Sequence, residues 1–237
     1  MLSAASVVLL DFDGPICAVF ANLSAVEVVV HLQERLTGAG LVLPPSLAEV
    51  RGPHLLLQWL PDALVREGMP ECEVRHLTRS CHHWLAEAER VAVKSARATA
   101  GAFGAIAGIV ASGRSVRIVS NNAATAIMDY LCRDGSGAGT WRLDHVFGRL
   151  EDPSLMKPNP HLLLEALKPL GPLKAAEDCV FIGDAPSDVV AAAEAGVNFI
   201  GFTGGVPRRR KRLLDAGVEP ELVIDAWGDL GDLSLLL

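Results

Sequence analysis

Val7-Val8-Leu9-Leu10-Asp11-Phe12-Asp13-Gly14 decides how the rest of this chain is read. An apolar run on consecutive positions stops at a carboxylate, and a second carboxylate and a glycine follow at once. Short runs of this kind suit strands buried on both faces. Others stop in the same way: Val116 to Val119 before Ser120, Val180 to Ile182 before Gly183, and Val197 to Phe202 before Thr203. Leu222 to Ile224, followed by Asp225, offers a final strand. Segments of helical character lie between several of them: Ala102 to Ser112, Ala123 to Arg133, His161 to Pro169 and Ser187 to Gly196. Such alternation predicts an α/β fold, a doubly wound parallel sheet with right-handed crossovers.

The stretch from Cys17 to Lys94 breaks the alternation. Ala21 to Leu36, Leu55 to Leu60 and Glu71 to Ala92 have helical character, punctuated by Pro44-Pro45, Arg51-Gly52-Pro53 and Pro61. We therefore expect an α-helical cap domain over residues 16–94, inserted into a core built from residues 1–15 and 95–237. Gly135-Ser136-Gly137-Ala138-Gly139 does not follow a strand and open a helix, so a flexible connection is expected there and not a nucleotide loop.

Composition narrows the function. The 237 residues are 50% hydrophobic but only 5% aromatic, so the core must be aliphatic and a disordered chain is excluded. No apolar run approaches the ~18 residues of a membrane span. Ser3 to Leu10 lacks the preceding basic segment of a secretory signal. A net charge of −7 disfavours a nucleic-acid surface; the basic run Arg208 to Arg212 is expected to be a solvated helix start. Cys17, Cys72, Cys81, Cys132 and Cys179 show no C-x-x-C spacing. Free thiols in the cytoplasm are the expectation, with neither membrane nor nucleic acid as partner.

In an open α/β sheet, ligands bind where the carboxyl ends of the strands meet their loops. The first strand delivers Asp11 and Asp13, the second Ser120-Asn121-Asn122, and the third Gly183-Asp184 through Asp188. A loop between the last two carries Lys157-Pro158. Carboxylates gathered so closely oppose one another's ionisation, and a divalent cation relieves that cost. Oxygen ligands suit Mg²⁺, which typically binds one or two carboxylates and a substrate phosphate. Asp11 could then serve as nucleophile and ligand, Asp13 as general acid, and Lys157 and Ser120 as partners of the phosphoryl oxygens. Taken singly, each has a plainer use: Asp-x-Asp-Gly as a turn, Ser120 or Asp184 as a helix cap, Lys157 as a solvated cation.

The ordered set Asp11-Phe12-Asp13-Gly14, Ser120-Asn121, Lys157-Pro158 and Gly183-Asp184 through Asp188 resembles the motifs of the haloacid dehalogenase-like hydrolases. The helical insert further resembles the cap of the phosphoglycolate phosphatase and β-phosphoglucomutase branch. The resemblance implies a Rossmann-like core. It implies that Asp11 attacks phosphorus and ligates Mg²⁺, and that Asp13 ligates through its carbonyl while its side chain protonates the leaving group. Ser120, Asn121 and Lys157 would bind the phosphoryl group, Asp184 would complete the metal ligands, and Asp188 would act from behind them. Pro15 departs from the Thr or Val usual in the family and stiffens the turn after Gly14.

Specificity is sought in the cap. Arg51 and His54 stand where capped relatives place a substrate loop, with a simple interhelical turn as the alternative. His76, Cys81, His82 and His83 do not converge at helical spacing, which favours an ordinary surface or partly buried helix over a metal site. The presence of Asp13 argues against a dehalogenase, and the absence of lysine before Lys94 argues against a Schiff-base phosphonate hydrolase. The expectation is a phosphatase for a small phosphorylated metabolite, working as monomer or homodimer. The alternatives are a sugar-phosphate mutase and a catalytically silent binding protein.

Overall fold

The computed structural model describes residues 5–133, 143–168 and 176–235. Its main sheet has six strands, all parallel: β1 (Val7–Leu10), β4 (Ser115–Val119), β5 (Val146–Phe147), β6 (Cys179–Gly183), β7 (Asn198–Phe202) and β8 (Val223–Ile224). They run in the order β5-β4-β1-β6-β7-β8, with β1 between β4 and β6. The chain thus builds one half of the sheet and then crosses β1 to build the other, which makes the end of β1 the topological switch point. Every residue of β1 is buried, as the unbroken apolar run predicts.

The crossover helices α5 (Ala102–Ala111), α6 (Ala124–Cys132), α7 (His161–Leu167) and α8 (Pro186–Ala195) fall close to their expected positions. One element of the core was not expected. The two-residue strand β5 is too short for a periodicity signal. The basic run does form a helix, α9 (Pro207–Asp215), but its cations are not simply solvated. The Gly135–Gly139 segment lies outside the described residues.

Between β1 and β4 the chain leaves and re-enters the core through an antiparallel pair, β2 (Cys17–Ala18) and β3 (Arg97–Ala98). Four helices occupy the interval: α1 (Ala25–Gly38), α2 (Pro45–Ala48), α3 (Pro53–Arg66) and α4 (Glu71–Val93). They bury their own cluster, centred on Leu32, Leu36, Leu56, Leu57, Leu60 and Leu85, which Met156 from the core also joins. Pro61 corrects the sequence reading, for it sits inside α3 and does not end it. Proline removes one helix hydrogen bond, but Leu56, Leu57, Leu60 and Leu64 keep one buried face across it.

Candidate active site

The β-sheet register brings the site together. Leu10 of β1 is level with Ile118 of β4 and Ile182 of β6, so all three strands release their loops at one edge. Asp11, Ser120 and Asp184 leave these ends, and Lys157 reaches them from the loop before α7. A cavity of about 160 Å³ lies between them, lined also by Asp13, Asn121, Asp188 and His54.

Lys157 is the electrostatic centre. Its ammonium lies 3.0 Å from Asp11 Oδ1 and 2.7 Å from Asp188 Oδ1, and it donates to the Val119 carbonyl at 3.1 Å. Burial alone would push Lys157 down; Asp11 and Asp188 together outweigh it and hold the lysine above its ordinary pKa. Asp188 is engaged through both oxygens, because Oδ2 accepts the amides of Asp184 and Ala185 at 3.1 Å each. It therefore orients Lys157 and closes the start of α8. That carboxylate, and not Asp184, supplies the helix start with its side-chain acceptor.

Asp11, Asp184 and Asp188 present carboxylate oxygens within 4.8 Å of one another. With Asp188 already occupied, Asp11 and Asp184 are the carboxylates left to face a cation. Burial, then Asp11 and Asp188, push the Asp184 carboxyl well above its ordinary pKa. An all-oxygen set of this kind fits a hard divalent ion such as Mg²⁺. The fit depends on close backbone approach. Gly14 has φ +110°, and a Cβ there would stand 2.5 Å from Asp184 Oδ2. Only glycine serves at that position.

Asp13 has a different environment. Its Oδ1 accepts the Val19 amide at 2.9 Å, while burial pushes its carboxyl up to about 6. A carboxyl near neutrality can give and take a proton, which an ordinary surface aspartate does poorly. Ser120 Oγ donates to Asn122 Oδ1 at 3.2 Å and accepts the Asn122 amide at 3.3 Å. Asn121 ties the loops together, donating to the Lys157 carbonyl at 3.0 Å and accepting its amide at 2.8 Å.

A family profile for haloacid dehalogenase-like hydrolases matches residues 5–196, a span that includes every one of these loops. The chain belongs to the haloacid dehalogenase-like hydrolases. No curated protein sequence matches it. Solved structures of the same fold include a phosphonoacetaldehyde hydrolase like protein from Oleispira antarctica, 15% identical with a TM-score of 0.68 over 98% of this chain and 92% of that one. A predicted phosphatase from Clostridium acetobutylicum is 15% identical, with a TM-score of 0.66 over 98% and 99%. CbbY from Rhodobacter sphaeroides, solved with phosphate, is 18% identical, with a TM-score of 0.63 over 98% and 100%.

Within this haloacid dehalogenase-like hydrolase, the helical insert delivers one of the two expected residues to the cavity. His54, in the first turn of α3, lines it. Arg51 is exposed and does not line the cavity, and its Nη1 donates to the carbonyls of Ala48 and Val50 at 3.2 and 3.1 Å. The His76–His83 segment divides by helical face: Cys81 and His82 are buried, His76 and His83 exposed. None of the five cysteines forms a disulfide. Among the described residues, no helix is long and apolar enough to cross a membrane.

Two residues at the site were not anticipated. Arg209 of α9 lies 3.0 Å from Asp184 Oδ2, which corrects the reading of the basic run as mere solvated charge. Composition could not reveal which of five adjacent cations turns inward. Glu89 of α4 is fully buried behind the Ser120 loop, 2.8 Å from His54 Nε2 and 2.7 Å from Arg149 Nη1. A signal for it did exist. Val74, Thr78, Cys81, Leu85, Glu89 and Ala92 share one buried face at helical spacing, and Glu89 is the acid in that stripe.

Proposed function

We propose that this hydrolase is a Mg²⁺-dependent phosphatase that cleaves a small phosphorylated metabolite through an aspartyl-phosphate intermediate. The observation that carries this reading is the Asp11–Lys157–Asp188 array, with Asp184 beside it, in a small polar cavity at the switch point. In this reading an Asp11 carboxylate oxygen attacks phosphorus as the bond to the leaving oxygen breaks. Asp13 gives its proton to that oxygen. Water then attacks the acyl phosphate, Asp13 takes the water's proton, and inorganic phosphate leaves with Asp11 restored. Ser120, Asn121 and Lys157 hold the phosphoryl oxygens, where negative charge is concentrated. Bound at Asp11, the Asp13 carbonyl and Asp184, Mg²⁺ would supply the charge that lets anionic nucleophile and phosphate approach.

Several features favour this chemistry over its alternatives. Asp13 offers the acid an oxygen leaving group needs, and no lysine before Lys94 offers a Schiff base. The cavity volume, about 160 Å³, falls below the ~300 Å³ at which pockets for drug-sized ligands begin, which suits a small metabolite. A second, reoriented phosphate would need further cations, and among the described residues Lys157 is the one lysine or arginine that lines this cavity, with His54 there already paired to Glu89. Phosphatase is therefore preferred to mutase. In this reading the helices of residues 16–94 act as the cap, and the enzyme works in the cytoplasm.

The test is release of phosphate from p-nitrophenyl phosphate and a panel of phosphometabolites with and without Mg²⁺. Wild type should turn over with the metal only, and Asp11→Asn should fall to background. Turnover by Asp11→Asn at the wild-type rate would refute the nucleophile.

A further inference from the structure

Glu89 has more partners than a packing residue requires. Oε1 accepts from His54 Nε2 at 2.8 Å, Arg149 Nη1 at 2.7 Å and Asn122 Nδ2 at 3.2 Å. Oε2 accepts from the Ala123 amide at 2.9 Å and Arg149 Nη2 at 3.1 Å. These donors come from the start of α3, from Arg149 just after β5 and from the loop between β4 and α6. One carboxylate thus joins the helical insert to the loop that carries Ser120.

Stability alone is a poor reason for this arrangement. Desolvation offsets most of the attraction in a buried ion pair, and apolar side chains of similar volume often serve as well. What the carboxylate does supply is orientation. An anionic acceptor at His54 Nε2 requires the proton on that nitrogen, which fixes both ring plane and tautomer. The same anion selects the Asn122 amide face: Nδ2 must point to Glu89, so Oδ1 is left to receive the Ser120 hydroxyl at 3.2 Å. Arg149 locks the other side, donating at 2.8 Å to the Asn121 carbonyl. It also holds Glu89 down at about 2, keeping it ionised, with His54 adding to the effect.

We propose that Glu89 is a positioning residue: it fixes the His54 ring at the wall of the cavity and holds the Ser120-Asn121-Asn122 loop in register with it. Recognition of the leaving group at His54 and of the phosphoryl group at Ser120 then depend on one buried side chain. This proposal rests on the phosphatase reading above, and it assigns to His54 the substrate contact that Arg51 does not make.

The experiment is a mutant cycle in the full chain. Glu89→Gln tests the charge, and Glu89→Met/Arg149→Met replaces the pair by apolar side chains, which keeps the test alive if a lone buried arginine prevents folding. With the best substrate of the panel, His54→Ala should lower kcat/KM about tenfold in wild type, the scale expected for a displaced binding group. It should change it less than about twofold in the Met/Met background, where the ring is already loose. Equal losses in the two backgrounds would overturn the proposal. Nitrogen NMR of the His54 ring reads the positioning without turnover: a protected Nε2–H signal in wild type, lost in Met/Met. An unchanged ring signal would also overturn it. If wild type released no phosphate from any substrate, the phosphatase reading would fail, and the ring signal would still judge the positioning.

Discussion

The strand-end loops and the helical insert meet at the same cavity but are built on different rules. At the sheet edge, three of the polar groups stand beside the strands that deliver them. Asp11 follows Leu10, Ser120 follows Val119, and Asp184 follows Gly183. Parallel register then aligns them. In the insert, position along the chain says little. Arg51 and His54 are three residues apart at one helix start, yet only His54 faces the cavity, because the turn into α3 directs Arg51 to local carbonyls. Sheets transmit sequence order into site geometry, whereas a helical packing must be solved before its inward residues are known.

That contrast is open to attack at graded strengths. The largest effect is expected at the sheet edge. Lys157→Met leaves Asp11 and Asp188 buried without their cation, and should cost about 3–5 kcal/mol in urea unfolding without Mg²⁺, with loss of turnover. A variant as stable as wild type would mean that the array is not a single electrostatic unit.

Glu89 comes next, on the insert side. Its carboxyl is lowered to about 2 from an ordinary 4.5, because Arg149 and His54 outweigh burial. A depressed carboxyl contributes stability that is complete above the unfolded value and lost as pH falls through the folded one. Wild type should therefore weaken between about 4.5 and 2, and Glu89→Gln should show a flatter profile there. Parallel curves would deny the coupling.

Arg209→Ala should act more mildly. Its pair with Asp184 is partly exposed and so screened. Removing a competing cation should lower the half-saturating Mg²⁺ concentration about threefold, the scale of a partly exposed pair; a higher requirement would make Arg209 a support of the site. Arg51→Ala should change kcat/KM less than about twofold, as an exposed side chain away from the cavity does. A tenfold loss would return Arg51 to the substrate and weaken the contrast.

Much of this was legible beforehand. The apolar runs ending at Asp11, Ser120, Gly183 and Thr203 announced the parallel sheet, since a strand covered on both faces must be apolar without alternation. The insert's helices were legible from periodicity, but Pro61 misled, because local propensity yields when a buried leucine face continues past the proline. The strand β5 escaped notice because two residues carry no period.

What the sequence determined by itself was the core layout and the order of Asp11, Asp13, Ser120, Lys157, Asp184 and Asp188 along it. Apolar period and turn chemistry are local properties, whereas the strand order that makes the end of β1 the switch point belongs to the assembled sheet. Only the tertiary structure decided that Lys157 sits between Asp11 and Asp188, that Arg209 turns toward Asp184, and that Glu89 bridges His54 to the Ser120 loop. Each is a contact between residues far apart in the chain. Burial strengthens such contacts by removing water, and no local pattern records which charges a fold will bury together.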